Sequence, residues 1–547
     1  MLTWATVQEQ FRKHRYPCLV IAFACVVFLG AGFYGLGAPF VFGHLGYHGG
    51  EYATRAKHTL HNGTFLPVNV PGHSYPGNAA LYLHHPVLTH HLVTVGFLIL
   101  GEHEFVVRLA ALFAAFVMSA AFCAVLWKYE GPWPAALGSL LFVLIPIHLW
   151  YNQHIDPGFP GMACLLIFFY YYFQFIETEK LKHAFYALVA LALSCGFDWF
   201  PYLVSVPVGL HLLYHAFQKR GRRVGFIPLY GLALLLPLAF HFLMVLKAGH
   251  WAEMKSGYSA RTHPMNAAIY YKRIFVYAQS YFGMPLFGIT AAWLALFFTK
   301  LLRGKTKPLD LMGVGFVAGL AFYVYWFKDG VMTHGYRLMY GAVPAAWATI
   351  DISLQLADRV KRWIANSRPD IIFALACLLI IGLTLPYSWT GLIESRAHQG
   401  IPDWKTFNPY IERSAFAKSL QTASKPEDKL YIHRLFPVDR MELAFYMDRD
   451  QVRGFDLTRA YTLKPEERAK ALLVFPRQGL HPQEEAALAE LRKQYAYAQF
   501  ETFAWLDMRQ ERAETQIRTL LQPVPGQRTA WDRYINGPYP WPEVIGR

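Results

Sequence analysis

Ionisable side chains stand next to the ends of long apolar runs in this sequence, and such positions indicate a functional site at a membrane surface. Carboxylates there can exchange protons with a bound molecule, and arginines or lysines can bind an anion. No comparable set lies in the middle of the apolar runs, which argues against a transport pathway. The candidates are Glu51, His84, His85, Arg108, Asp156, Asp198, Lys272, Arg273, His334, Tyr336 and Arg337.

Four histidines fall within the stretch LYLHHPVLTHH, residues 81–91. A zinc site needs three or four converging ligands. His84 and His85 are adjacent, so their side chains diverge, and the same holds for His90 and His91. Pro86 also breaks any helix between the two pairs. The spacing therefore assembles no metal site locally, and hydrogen bonding by His84 or His85 is the favoured function.

Several candidates also have an ordinary structural explanation. Asp156 precedes Pro157, a context in which aspartate often serves a turn. Arg108 begins an apolar run and could extend its charge to the membrane surface. Asp198 precedes Trp199, a residue type that anchors helices at the interface. Both readings stay open at these positions.

The composition is that of a membrane protein. Of 547 residues, 54% are hydrophobic and 16% charged, whereas soluble domains average about 25% charged residues. The net charge of +15 fits basic cytoplasmic loops better than a nucleic-acid partner. All six cysteines lie in apolar stretches, which predicts neither a disulfide framework nor a cysteine metal site.

The apolar runs predict eleven membrane spans. We place them at about 17–36, 105–127, 134–151, 159–176, 184–198, 200–217, 224–246, 283–301, 310–327, 336–355 and 370–388. The shorter run 87–101 begins with two histidines and is interpreted as an interfacial helix. With eleven spans, the basic loops ETEKLKH, QKRGRR, KLLRGKTK and ADRVKRW all face the cytoplasm. A twelfth span would put all four outside.

Three segments then face away from the cytoplasm, at 37–104, 247–282 and 389–547. The last has a soluble composition. Its strands are predicted in LYIHRLF, ALLVFP and AYAQFETFAWL, and its helices in PVDRMELAFYM and HPQEEAALAELRKQY. The predicted fold is a polytopic α-helical membrane domain, residues 1–388, followed by an extracytoplasmic α/β domain, residues 389–547.

The order of motifs resembles the GT-C superfamily of membrane glycosyltransferases, especially its bacterial branch with the protein O-mannosyltransferases and aminoarabinose transferases. The motifs are GHLGYHGGEYATRAKHTLHNG, YLHHPVL, GEHEFVVRLAALF, YNQHIDPGF, CGFDWFPY and THGYRLMYGAVP, covering roughly 17–345. Two departures are visible. The usual Asp-Glu pair reads Gly50-Glu51, and Val87 replaces the second proline of the His-Pro-Pro-Leu segment.

The resemblance implies an inverting transfer of a sugar from a polyprenyl-phosphate donor to a lipid, glycan or protein acceptor. The site would face outward from the cytoplasmic membrane, in a periplasmic location. Glu51 or Asp156 would be the catalytic base, with Glu51 favoured because relatives carry the attacking-side carboxylate in the first outer loop. The other candidates would bind the donor phosphate or substrate.

The resemblance implies no required cofactor, although some relatives use a divalent cation. A flippase for lipid-linked intermediates is the main alternative, but it would be expected to show inverted repeats. The glycine at position 50 leaves a catalytically inactive scaffold as a third reading. The sugar and the acceptor are not encoded by any motif.

Overall fold

The computed structural model describes residues 13–511, apart from 38–39, 41–43, 69–80, 219–220, 263–265, 365–366, 399–415, 418–419, 422, 426, 437–444, 448 and 500–502. In chain order its helices are α1 (Arg15–Phe33), α2 (His44–Asn62), α3 (Leu88–Leu100), α4 (Glu104–Tyr129), α5 (Pro132–Leu144), α6 (Pro146–Tyr151), α7 (Gly158–Thr178), α8 (Leu181–Phe197), α9 (Phe200–Gln218), α10 (Gly221–Lys247), α11 (Trp251–Arg261), α12 (Ala267–Leu302), α13 (Pro308–Trp326), α14 (Lys328–Thr333), α15 (Ala342–Trp363), α16 (Pro369–His398), α17 (Pro465–Arg468) and α18 (Pro482–Gln494). The strands are β1 (Lys429–His433), β2 (Asp450–Phe455), β3 (Ala471–Pro476), β4 (Tyr495–Gln499) and β5 (Phe503–Glu511). Two 3₁₀ helices lie at Gly335–Gly341 and Leu457–Thr462.

The chain divides into two compact units. The helical unit comprises Met1–Leu36, Phe65–Pro67 and Leu81–Ser395, and the sheet unit comprises Gly37–Thr64, Val68–Ala80 and Arg396–Arg547. From the sequence, a single domain boundary is expected, between residues 388 and 389. The contacts instead group most of the loop after the first span with the C-terminal part, because α2 packs there.

Eight helices in the described part of the chain are long and apolar enough to cross a membrane. They are α1, α4, α7, α9, α10, α12, α13 and the residues Pro369–Ile393 of α16, and each matches a predicted span. The predicted spans 134–151 and 184–198 correspond to shorter apolar helices, α5 and α8. The predicted span 336–355 begins as a 3₁₀ helix and continues as α15. The polytopic helical fold is confirmed.

Two predicted spans are interrupted or extended for local reasons. Ile145 is extended, with ψ of 127°, and separates α5 from α6, because Pro146 disfavours helical geometry at the residue before it. The helix predicted at 283–301 begins much earlier, at Ala267, where Asn266 caps it by accepting a hydrogen bond from the Ala268 N–H at 3.0 Å. Gly283 then kinks α12 with φ of 72°, a value that favours glycine. Most of the predicted outer loop 247–282 is thus helical, in α11 and the first part of α12.

An ion network joins four helices in the helical unit. Lys300 of α12 places its Nζ atom 3.2 Å from Asp310 Oδ1 and 2.5 Å from Asp351 Oδ2. Lys307 lies 2.9 Å from Glu130 Oε2 and 3.6 Å from Asp351 Oδ1. Both aspartates are fully buried, so their charges depend on these lysines.

Asp351→Ala is expected to destabilise the protein by about 1.5 to 3 kcal/mol, since the partly buried Lys300 loses a charged hydrogen-bond partner and keeps only Asp310. Thermal unfolding of the detergent-solubilised protein measures the loss. Lys493→Ala is the control, because Lys493 and Glu490 form an exposed pair and such pairs contribute about 0 to 1 kcal/mol. Equal losses in both variants would show that the network is not a stabilising element.

The sheet unit contains a five-stranded mixed sheet with the order β2-β1-β3-β5-β4. β1 pairs in parallel with β2 and β3, whereas β5 runs antiparallel to β3 and β4. The strands predicted in LYIHRLF and ALLVFP are confirmed as β1 and β3, and HPQEEAALAELRKQY is confirmed as α18. AYAQFETFAWL forms two strands, β4 and β5, and most of PVDRMELAFYM lies outside the described residues.

Helix α2 packs within the sheet unit. Gly49 faces the ring of Phe40, and a Cβ at this position would lie 2.5 Å from that ring. The Phe40 N–H donates to the Tyr446 hydroxyl at 2.8 Å, and Lys57 Nζ donates to the Phe445 carbonyl at 3.1 Å. Residues from the segment after α1 and from the C-terminal part therefore share one core.

Candidate functional site

Arg337 is the centre of a buried polar cluster in the helical unit. Its Nη1 atom lies 3.1 Å from Asp156 Oδ1 and 3.4 Å from Asp198 Oδ2. All three side chains are at most 3% exposed. Two carboxylates around one guanidinium leave a net negative charge when both are ionised, so the cluster can attract a proton or a hydroxyl donor.

Asp156 is positioned by the turn between α6 and α7. Its Oδ1 atom accepts a hydrogen bond from the Gly158 N–H at 2.8 Å, the local bond for which aspartate is favoured in turns. Gly158 also allows the 3₁₀ helix to approach, since a Cβ there would lie 2.7 Å from Met339 Sδ. Asp156 therefore serves the turn, and the same Oδ1 atom also faces Arg337 in the cluster.

Asp198 follows the last residue of α8 and is held from three directions. Its Oδ1 atom accepts from the Trp199 N–H at 2.8 Å. The Tyr340 hydroxyl donates to Oδ2, and Arg337 approaches the same atom. Close packing of α7 against α8 brings Asp198 inward, because Gly161 leaves only 3.2 Å between an added Cβ and the Asp198 side chain.

His85 adds a neutral ring to the cluster. Its Nε2 atom lies 3.4 Å from Arg337 Nη2, and its Nδ1 atom lies 4.0 Å from Asp198 Oδ1. Burial, with the nearby Arg337 and Arg261, lowers the pKa of His85 well below its ordinary value. The imidazole is therefore uncharged at neutral pH and can exchange hydrogen bonds without adding charge.

His84 supports the cluster from outside. Its carbonyl accepts a hydrogen bond from Trp199 Nε1 at 2.8 Å. Its ring lies against Gly257 of α11, where a Cβ would be 2.3 Å from His84 Cε1. Helix α11 therefore rests directly on the histidine segment.

The charge balance of the cluster is set by Asp198. Burial raises the pKa of Asp198, while Arg337 opposes this rise and Asp156 adds to it. The hydrogen bonds from Tyr340 and Trp199 also favour the ionised form. The protonation of this carboxyl group thus depends on a few identifiable neighbours.

The remaining predicted residues of the helical unit lie in different surroundings. Tyr336 is buried, with its ring 4.6 Å from that of His154 and 5.5 Å from that of His334. Arg273 donates to the Tyr277 hydroxyl at 3.1 Å, whereas Lys272 is exposed. Each position stays a prediction for substrate binding.

Arg108 is only 2% exposed. Its Nη1 atom donates to the Leu36 carbonyl at 3.0 Å, just beyond the end of α1. Arg108 therefore connects α4 to the segment after α1. Its binding of the donor phosphate stays a prediction.

Glu51 belongs to the sheet unit. It lies on α2, is 4% exposed, and pairs with Arg55 one turn later. His48 Nδ1 lies 3.2 Å from its Oε2 atom. Glu51 thus lies on a helix, between His48 and Arg55.

Two residues in the helical unit extend the predicted set. Tyr340 was missed, although the spacing Arg337-x-x-Tyr340 places both on one side of a 3₁₀ helix. Arg261 of α11 donates to the Tyr82 hydroxyl at 3.3 Å and lies close enough to His85 to influence its charge. Only the fold brings Arg261 near the histidines, so no local sequence signal could have identified it.

The described residues contain no group of three or more His, Cys, Asp or Glu side chains that could hold a metal ion. The four histidines of 81–91 do not converge in the described structure. His90 and His91 instead stack with ring centroids 4.0 Å apart.

Comparison with known proteins gives similar solved structures. A crystal structure of ArnT from Cupriavidus metallidurans bound to undecaprenyl phosphate matches with a TM-score of 0.58 and 13% identity, covering 92% of this chain and 99% of that one. The apo structure of the same protein matches with a TM-score of 0.56 and 15% identity, covering 89% and 97%. No family model and no curated protein sequence matches the chain. The likeness extends along nearly the whole chain, so the protein shares the fold of these ArnT structures.

Proposed function

We propose that this protein transfers a sugar from a polyprenyl-phosphate donor to a lipid, glycan or protein acceptor. The observation that carries the proposal is the buried Asp156–Arg337–Asp198 cluster within a fold shared with a protein crystallised with undecaprenyl phosphate. A fold alone does not define a reaction, but an arginine between two desolvated carboxylates supplies groups that such a transfer needs. The cluster supports the proposed enzyme class, and the shared fold supports the proposed lipid-linked donor.

The transfer is proposed to proceed by inverting displacement. An acceptor hydroxyl attacks the anomeric carbon, its proton passes to a carboxylate, and the bond to the donor phosphate breaks with inversion. Glu51 is the favoured base, and Asp156 is the alternative. The phosphate leaves with its negative charge, which a nearby cation stabilises.

The cation that contacts the phosphate is proposed to be one whose charge is not already committed to a carboxylate. Arg337 lies between Asp156 and Asp198. Arg261 instead donates to a tyrosine hydroxyl and is half-buried beside the histidines. Lys272, Arg273 and Arg108 remain proposed contacts of the donor.

The direct test uses purified protein in nanodiscs with a radiolabelled sugar on undecaprenyl phosphate. Several sugars are tested on the donor lipid. A crude lipid and glycan extract of the membrane supplies the acceptors. We expect label to move from the polyprenyl lipid to a new product in an acceptor-dependent way. Intact donor after incubation with every set, despite measurable donor binding, would favour the scaffold or, if the donor crosses liposome membranes, a flippase.

The proposed orientation places the sheet unit and the site outside the cytoplasm of a multi-pass inner-membrane protein. Glu466 of α17 and Lys305 between α12 and α13 are both exposed, so cysteines there are accessible. Glu466→Cys is expected to react with a membrane-impermeant thiol reagent in spheroplasts, and Lys305→Cys only after lysis. Wild-type protein controls for the six native cysteines. The reverse pattern would invert the topology and contradict an outward-facing site.

A further inference from the structure

The hydroxyl of Tyr340 lies between two charged groups of the cluster. It accepts a hydrogen bond from Arg337 Nη1 at 3.0 Å and donates to Asp198 Oδ2. In a 3₁₀ helix, side chains three residues apart are aligned, and the segment Gly335–Gly341 is such a helix. This local geometry places the Tyr340 hydroxyl within hydrogen-bond distance of Arg337.

The ring of Tyr340 has little freedom to move. It stacks on Phe200 with ring centroids 3.6 Å apart and an interplanar angle of 3°. The residue is 1% exposed. Phe200 begins α9 directly after Asp198 and Trp199. The same chain segment therefore carries Asp198 and the ring that packs against Tyr340.

We propose that Tyr340 is a positioning residue that holds Asp198 in its ionised form and thereby keeps Arg337 shared between Asp198 and Asp156. This inference rests on the proposed function for its consequence in catalysis. The hydroxyl reaches the buried carboxylate without contributing a charge. Arg337 is consequently not drawn to one side, and Asp156 keeps its own contact with the guanidinium.

Several groups of the cluster compete for contact with Asp198 and Arg337. The groups that face Asp198 are Arg337, Asp156, His85, Tyr340 and Tyr323. Arg337 is the cation among them, and His85 is neutral because burial lowers its pKa. Without the Tyr340 hydroxyl, Asp198 either takes a proton or pulls Arg337 away from Asp156.

The activity test compares Tyr340→Phe with the wild type across pH. The variant loses a buried hydrogen bond to a charged group. We therefore expect the acid limb of its kcat/KM profile to move up by about one to two pH units. Donor KM at high pH should change less than kcat, because the variant alters orientation rather than contact. Tyr230→Phe is the matched control, since Tyr230 is also buried and donates to the neutral Ser205 carbonyl at 2.7 Å.

A second measurement does not require transfer. The pKa of Asp198 is raised in the folded protein, so the folded state holds this proton more tightly than the unfolded state. Its stabilising contribution is full below the unfolded pKa and is lost as pH rises through the folded pKa. Tyr340→Phe raises the folded pKa further, so its loss in Tm should be larger at pH 8 than at pH 5, whereas Tyr230→Phe should lose equally at both.

The two measurements separate the possible failures. If the wild type transfers no sugar but the pH-dependent Tm difference appears, the proposed function fails and the contact to Asp198 stands. If transfer occurs, an unmoved acid limb overturns the positioning role whatever the Tm shows. A Tm loss independent of pH in Tyr340→Phe overturns the proposed effect on Asp198.

Discussion

Glu51→Gln is expected to slow sugar transfer by about 10²- to 10⁴-fold while donor binding is retained. The amide keeps the size of the side chain but cannot accept the acceptor's proton. Arg55 then loses its carboxylate partner on α2, so the variant should also be checked for its Tm. The measurements are single-turnover transfer and equilibrium binding of the labelled donor.

Asp156→Asn separates the two candidate bases. If Glu51 is the base, Asp156→Asn should raise the acceptor KM more than it lowers kcat, as expected for an orienting group. The opposite pattern would assign the base to Asp156. Glu253→Gln is the control, because Glu253 is a half-exposed carboxylate paired with His250 on α11. Full activity in Glu51→Gln, Asp156→Asn and their combination would reject a carboxylate base.

Arg337→Ala should have the second large effect, on both stability and turnover. It leaves Asp156 and Asp198 buried without their cation, and loss of one partner of a buried pair costs about 3 to 5 kcal/mol. Arg337→Lys should rescue only in part, since a lysine lacks the planar fork that spans two carboxylates. Tm and transfer rate are measured on the same preparations.

A compensating variant keeps this prediction testable if Arg337→Ala fails to fold. Arg337→Ala combined with Asp198→Asn removes one buried charge of each sign and should recover part of the lost Tm without recovering turnover. Lys328→Ala is the control for removing a nearby cation, because Lys328 rests on the Tyr325 ring. If Arg337→Ala and Lys328→Ala behave alike, Arg337 is an ordinary structural residue.

Much of the helical fold could be predicted from composition and periodicity. Eight predicted spans match long apolar helices in the described chain, because about twenty apolar residues are needed to cross a membrane. The break at Ile145 follows from Pro146 and was available in the sequence. The early start of α12 was not, since YYKRIFVY carries polar residues that the hydropathy pattern reads as a loop.

The candidate site was predicted in its residue types but not in its grouping. Asp156, Asp198, His85 and Arg337 were each selected as polar residues at span ends, and the fold brings them together. Tyr340 was overlooked because a tyrosine in an apolar run is usually a core or interface residue. Its contact depends on a 3₁₀ turn that periodicity does not distinguish from an α-helix.

The shared core of the sheet unit has a consequence for the order of events during synthesis. Helix α2, which carries Glu51, contacts Phe445 through Lys57 across a separation of 388 residues. Ribosomes add about 5 to 20 residues per second, so the partner follows α2 by roughly 20 to 80 s. During that interval the helix has left the ribosome without the surface on which it finally packs. Release of a truncated chain before residue 445 would therefore leave the candidate base on an incomplete core, and only full-length synthesis delivers it to its native surroundings.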